Sequence, residues 1–220
     1  MSEYPVSERN RLRRLPKRAA YDRATIHAIL DAAFLCHVGF NLEGTPVVVP
    51  TAYARDDDSL ILHGSAASRM LRQLSSGIEA SVSVAIVDGL VLARSAFHHS
   101  INYRSVVLFG VAVLIDEPNE KLAALETFME HVTPGRWMES RMPSSRELAR
   151  TSVLRLMIGE ASAKIRSGDP VDDPEDHSLE VWAGVVPLKQ HSEMPVAASD
   201  LRQELDLSEA VSRTGLKWSS

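Results

Sequence analysis

Phe34-Leu-Cys-His-Val-Gly-Phe-Asn-Leu42, Thr45-Pro-Val-Val-Val-Pro-Thr-Ala-Tyr-Ala54 and Ser59-Leu-Ile-Leu62 follow one another, punctuated by Glu43-Gly44 and Asp56-Asp57-Asp58. Short β-prone runs broken by Gly and Asp turns predict an antiparallel meander. The same pattern continues downstream. Residues 80–87 alternate Ser81, Ser83 and Ala85 with Val82, Val84 and Ile86, the period of a half-buried strand. Asp88-Gly89 is expected to turn the chain into a strand at 90–96, and further strands are predicted at 104–115, 153–165 and 179–188.

Helical spacing punctuates these strands. Ile26, Ile29, Leu30 and Ala33 share a face, so a helix is predicted over 22–33 with Asp22 as its cap. A short helix is expected at 66–74. Another runs over 118–132 with Leu122, Leu125, Phe128, Met129 and Val132 on one face. Ser144-x-x-Glu147 has capping-box form and opens a helix to about residue 152. Residues 168–177 read as an acidic loop. The polar end of the chain has a helix expected at 200–207. Mainly β with inserted helices, antiparallel and α+β, the pattern fits a barrel with helical caps. No linker divides it, so one domain is expected over 21–190, after a basic arm (1–20) and before a polar tail (191–220).

The bulk properties narrow the function classes. A chain of 220 residues suits one core, and a hydrophobic content of 45% excludes a disordered protein. The net charge of −5 argues against general nucleic-acid binding, with Arg11 to Arg18 as a local basic exception. One cysteine, Cys36, excludes an internal disulfide, and its apolar neighbours predict a buried thiol. No run approaches a membrane span and no signal core follows the charged start, so the cytoplasm is the expected compartment and no membrane is expected as a partner.

Three segments carry candidate chemistry. In Leu60-Ile-Leu-His-Gly-Ser-Ala-Ala-Ser-Arg-Met-Leu-Arg72 a strand enters a helix through His63, Gly64, Ser65, Ser68 and Arg69. Exposed amides, two hydroxyls and a guanidinium suit a phosphate. A plain N-cap and a solvated arginine would leave the same trace. In Tyr103-Arg-Ser-Val-Val-Leu-Phe-Gly110, Arg104 and Ser105 could face a ligand or only solvent. In Val181-Trp-Ala-Gly-Val-Val-Pro-Leu188, Trp182 could wall an aromatic cofactor or serve as core. None of the eight histidines shows zinc-site spacing, so no metal is expected; His98 and His99 fall in an expected connection, and adjacent histidines on a strand would point to opposite faces.

In this order the segments resemble the pyridoxamine-phosphate-oxidase-like FMN-binding superfamily, and within it the branch of flavin-nucleotide-binding proteins related to 5-nitroimidazole reductases. The resemblance spans about residues 20–190. The oxidase pattern of Ser-Arg-Lys opening a phosphate-side helix reads Ser68-Arg69-Met70 here. Its Arg-Gln-Val followed by Gly reads Arg104-Ser105-Val106 and Gly110. The strand ending Pro50-Thr51-Ala52-Tyr53 is similar to the one whose backbone lies along the flavin ring, and Trp182 with Pro187-Leu188 to the terminal strand. The resemblance implies a split β-barrel homodimer with FMN held at the subunit interface by residues 50–53, His63, Gly64, Ser65, Ser68, Arg69, Met70, Arg104, Ser105, Val106 and Trp182. His63 is the implied catalytic residue, a proton donor beside the flavin. An FMN-dependent oxidoreductase acting on a small molecule, with NAD(P)H as a candidate electron donor, is the expected function. A non-catalytic flavin carrier or sensor, or a relative binding haem or deazaflavin, is the alternative. Met70 stands where the pattern has Lys, Ser105 where it has Gln, and no basic substrate pattern follows Trp182. Pyridoxamine phosphate is therefore not the expected substrate.

Overall fold

The computed structural model describes residues 2–202 and 205–219. Among them run ten strands and six α-helices. In chain order these are β1 (Ala19–Ala20), α1 (Arg23–Asp31), β2 (Leu35–Leu42), β3 (Thr45–Ala52), β4 (Ala54–Asp56) and β5 (Ser59–Ser65). Next come α2 (Arg69–Ser75), β6 (Glu79–Leu92), β7 (Ser100–Leu114), α3 (Pro118–Val132), α4 (Arg136–Glu139) and α5 (Ser145–Ala149). The series closes with β8 (Thr151–Met157), β9 (Glu160–Arg166), β10 (Gly184–Pro187) and α6 (Glu209–Lys217). The registered strand pairs are antiparallel, as the meander pattern requires. No helix among the described residues is long and apolar enough to cross a membrane.

The chain forms two compact units, each gathered from separate stretches. Unit one comprises Met1–Ala33, Val82–Leu108 and Gly159–Lys189. Here β6 lies beside β7, β10 flanks β6, and β9 flanks β7 with β1 outside it. Helix α1 is capped as expected, Asp22 Oδ1 accepting from the Thr25 amide at 2.8 Å, and it buries Ile26, Ile29 and Leu30. The first residues belong to the same packing. Tyr4 is buried with its hydroxyl 2.9 Å from His27 Nε2, and Asn10 donates to the carbonyls of Pro5 and Ala161.

Unit two comprises Phe34–Ser81, Phe109–Ile158 and Gln190–Ser220. Its β2–β3 hairpin turns on Glu43 and Gly44, both at positive φ, the geometry of a two-residue primed turn. Strand β5 pairs with β4 on one side and β8 on the other, and β8 continues to the second half of β7. Ala54, Ile61, Ile115, Ala124, Phe128 and Val153 form a core beneath α3. The helix spans 118–132 as predicted, but its buried face is rotated to include Lys121, whose ammonium reaches the carbonyls of Leu148 and Thr151. A long side chain can bury its stem and satisfy its head in this way.

Several sequence expectations are corrected. Asp88-Gly89 does not turn the chain; β6 runs straight through it and ends at Leu92. Gly89 faces Pro187 of β10, and a Cβ there would stand 3.0 Å from the Val186 carbonyl oxygen. The glycine thus permits a close strand approach, a use as common as a turn. The single strand at 153–165 is two strands, β8 and β9, broken at Ile158-Gly159, where the Ile158 amide donates to Asp58. The helix after Ser144 keeps both halves of its capping box but stops at Ala149. The last strand shrinks to Gly184–Pro187. Near the C-terminus the helix is α6, at Glu209–Lys217; positions 203 and 204 of the expected 200–207 helix lie outside the described residues.

Candidate functional site

In unit two, β5 leads into α2 through the segment singled out above. Ser59 to Leu62 are buried, His63 and Gly64 half-buried, and Ser65 exposed. The Ser65 carbonyl accepts from the Ser68 amide at 2.8 Å, and its hydroxyl accepts from Ala67 at 3.2 Å. Ser68 is the N-cap of α2, its Oγ accepting from the Leu71 amide. Capping leaves the amides of Arg69 and Met70, at the first two helical positions, without an intrahelical acceptor. Arg69 is exposed and makes no ion pair with another described residue. Gly64 lets the helix sit close, because a Cβ there would meet Leu71 at 3.2 Å. One turn thus carries a guanidinium, two amides without helical acceptors and two hydroxyls, the donor types that suit a phosphate.

His63 sits behind that turn, its ring edge-on to Phe128 with centroids 4.2 Å apart. Nδ1 is buried and has no hydrogen-bond partner among the described residues. Burial lowers the imidazole's pKa below its ordinary value, so the ring is neutral at neutral pH. A neutral imidazole can accept a proton or ligate a metal.

Strand β3 ends at Ala52, with Pro50 exposed and Thr51 and Ala52 half-buried. Tyr53 is buried, its amide donating to Phe34 and its ring 5.8 Å from that of His131. Opposite this strand end, β2 pairs His37 with Pro50, Cys36 with Thr51 and Leu35 with Ala52. Cys36 is buried and its thiol pKa is pushed up to about 12 by desolvation, so it is inert structure. His37 faces outward with Leu35, on the face that also exposes Val48. Sequence reasoning passed over His37. The alternation of β2 already placed it outward on an otherwise apolar face, and that was the signal available.

The remaining expected residues lie in unit one. Arg104 is engaged by Asp88, its Nη2 2.7 Å from Oδ1, so its fork is occupied rather than free. Ser105 donates to the Lys164 carbonyl at 3.2 Å, and Val106 is core. Trp182 is 66% exposed and lies over Gly184, where a Cβ would stand 3.0 Å from the indole. Thus residues 50–53, 63–65 and 68–70 gather in unit two, while Arg104, Ser105, Val106 and Trp182 stand in unit one. The side chains of Tyr53, Met70 and Val106 are spent on packing.

A family model described as pyridoxamine 5'-phosphate oxidase matches residues 22–165. The structure of the flavocytochrome Anf3 from Azotobacter vinelandii is similar with a TM-score of 0.89 and 37% identity, over 94% of this chain and 96% of that one. The FAD and heme binding protein from Mycobacterium smegmatis gives a TM-score of 0.87 and 36% identity, over 90% of this chain and 97% of that one. A candidate 5-nitroimidazole antibiotic resistance protein from Bacteroides thetaiotaomicron, at 24% identity over 67% of this chain and 86% of its own, shares the fold with a TM-score of 0.56. No curated protein matches the chain.

Proposed function

Because the chain belongs to the pyridoxamine 5'-phosphate oxidase-like family of flavin-binding split barrels, we propose that it is a redox protein carrying both a flavin and a haem. The observation behind this reading is the likeness, at 37% and 36% identity over nearly whole chains, to a flavocytochrome and to a protein that binds FAD and haem. In this reading the flavin is FAD in place of the FMN that the oxidase motifs imply. The departures at Met70 and Ser105, where an FMN oxidase has Lys and Gln, point the same way.

The chain's own groups then have definite tasks. Arg69, the amides of Arg69 and Met70, and the hydroxyls of Ser65 and Ser68 hold the flavin's phosphate. His63, neutral by burial, takes or gives a proton beside the ring, and residues 50–53 support the ring through their backbone. Haem iron is commonly held by a histidine. His37 is the donor of choice, exposed between Leu35 and Val48 on an apolar strand face where a porphyrin could lie. Bound flavin and haem supply the electron transfer, and the protein positions them. We further propose a homodimer, whose two-fold axis would bury the exposed Leu90, Val186 and Trp182 of unit one.

The test is the absorption spectrum of the purified protein after reconstitution with FAD, FMN and haemin. Flavin bands together with a Soret band support the proposal, and chromatography of the released flavin separates FAD from FMN. A protein that stays colourless sinks it. His37→Ala should remove the Soret band and leave the flavin bands; a Soret band that survives excludes His37 as the ligand. Anaerobic NADH or NADPH tests whether electrons enter from a nicotinamide. Light scattering that gives a monomer with flavin fully bound overturns the dimer.

A further inference from the structure

We infer that unit one carries a binding site for a divalent transition-metal ion, built from His98, Asp173 and Asp176. His98 ends a 3-10 turn (Ala96–His98) between β6 and β7, and the two aspartates come from a second 3-10 turn region about 75 residues on (Asp173 caps Pro174–Ser178). One donor atom from each of the three side chains lies within 4.8 Å of the others. His98 Nε2 and Asp173 Oδ2 are 3.1 Å apart. Ligands about 2.1 Å from a metal stand roughly 3.0 Å apart at a right angle and about 3.4 Å at a tetrahedral one. That pair already has ligating separation, and the third donor atom, from Asp176, lies within 4.8 Å of both.

Two neighbouring polar side chains are committed elsewhere. Asp172 is tied to Arg94 by two contacts of 2.9 Å, to the amide and to the guanidinium, and this pins the acidic turn to the strand end before His98. His99 is turned back, its Nδ1 3.0 Å from the Ser95 carbonyl. Asp173 stands at the N-cap position yet does not cap its turn; its carboxylate goes to His98 instead. Asp176 is half-buried, and its carboxylate has no partner among the described residues. A cation between two carboxylates and an imidazole would give the Asp176 carboxylate a partner.

The donor set selects the ion. One imidazole with two carboxylates suits Zn2+ and its first-row neighbours, whereas Mg2+ and Ca2+ favour oxygen alone. Two negative charges neutralise a divalent ion, and three protein ligands leave positions for water or an added ligand. Such an ion would staple the turn that displays Phe97, itself 90% exposed, to the 173–178 segment. The site is independent of the flavin and haem reading, because none of its residues is assigned to either group.

Calorimetric titration of the full-length protein, as purified and stripped of metal, with ZnCl2 tests the site. One ion per chain is expected to bind, weakened roughly tenfold or more by D176N and by H98Q. His191→Ala should leave binding unchanged, and MgCl2 should give no comparable signal. Co2+ in place of Zn2+ should show visible d–d absorption in the wild type that D173N and D176N lose. The Asp→Asn changes preserve shape, and circular dichroism confirms that each variant is folded. Absence of binding, or binding indifferent to H98Q and D176N in folded protein, overturns the inference.

Discussion

The guanidinium of Arg104 closes on the carboxylate of Asp88, with Nε 3.0 Å from Oδ2 and Nη2 2.7 Å from Oδ1. Two parallel contacts make this a fork-to-carboxylate pair across neighbouring strands β7 and β6. The Asp88 hydrogen bonds favour the charged guanidinium and raise its pKa further, so the pair is fixed in its ionised form from the arginine side. The arrangement recasts both residues. Asp88 is a strand residue with an ionic partner, and Arg104 is a sheet tie before it is a ligand group.

The Arg104 side chain is 40% exposed and that of Asp88 34%, so the pair's contribution is small. Asp88→Asn and Arg104→Ala should each cost up to about 1 kcal/mol. The double variant should cost little more than the worse single one, as expected for partners in one interaction. Urea denaturation of the four proteins measures the cycle. Additive losses would show that the two side chains act separately. Asp88→Asn should leave flavin affinity unchanged.

Arg69→Ala should weaken binding of a phosphate-bearing flavin by about 1.5–3 kcal/mol, roughly ten- to a hundredfold. Met70 is buried and offers no replacement charge. Riboflavin, which lacks the phosphate, should bind the variant and the wild type alike. Fluorescence-quenching titrations with FAD, FMN and riboflavin make the comparison. Equal losses for all three would place the effect in folding and not in phosphate binding.

His63 makes stability depend on pH in a known direction. Its folded pKa lies below the ordinary value of 6.5, so the unfolded chain binds the proton more readily than the folded one. Stability is therefore full above about 6.5, falls as pH drops through that value, and levels off below the folded pKa. His63→Phe removes this component. Denaturant midpoints at pH 7.5 and 5.5 should differ less in the variant than in the wild type. Identical pH slopes would mean that the imidazole is not held neutral by burial. His63→Ala should also slow substrate turnover by on the order of a hundredfold while flavin reduction changes less, if the neutral ring is the proton acceptor.

Gly110 is required by packing alone. A Cβ on it would fall 1.9 Å from the Met157 carbonyl oxygen, backbone that cannot yield as a side-chain tip can. Gly110→Ala should cost about 3 kcal/mol or more, at the upper end for overpacking. Thermal unfolding followed by circular dichroism reads this directly. A melting temperature within a degree of the wild type would contradict the close approach of β7 and β8.

Much of the architecture was decided by interactions a few residues long, and those were legible in the sequence. Asp22 caps α1, Ser144 and Glu147 close their capping box, and Glu43-Gly44 turns the first hairpin, each a matter of local side chain and backbone. The helix at 118–132 and the turn at 63–69 follow from periodicity and from the hydroxyl, glycine and arginine sequence itself. Tertiary structure alone decided the rest. Asp88-Gly89 has the composition of a turn, and only the strands on either side make it a strand. Residues 153–165 read as one apolar run, and only pairing with different partners divides them into β8 and β9. Arg104 is tied by Asp88, 16 positions earlier, a partner that no local pattern announces. His98 and Asp173, 75 positions apart, carry no spacing that a motif could express. The physical reason is common to all four. Local preferences differ by fractions of a kcal/mol and are set by neighbours in the chain. Strand pairing and ion-pair choice are set by groups that the folded chain alone brings together.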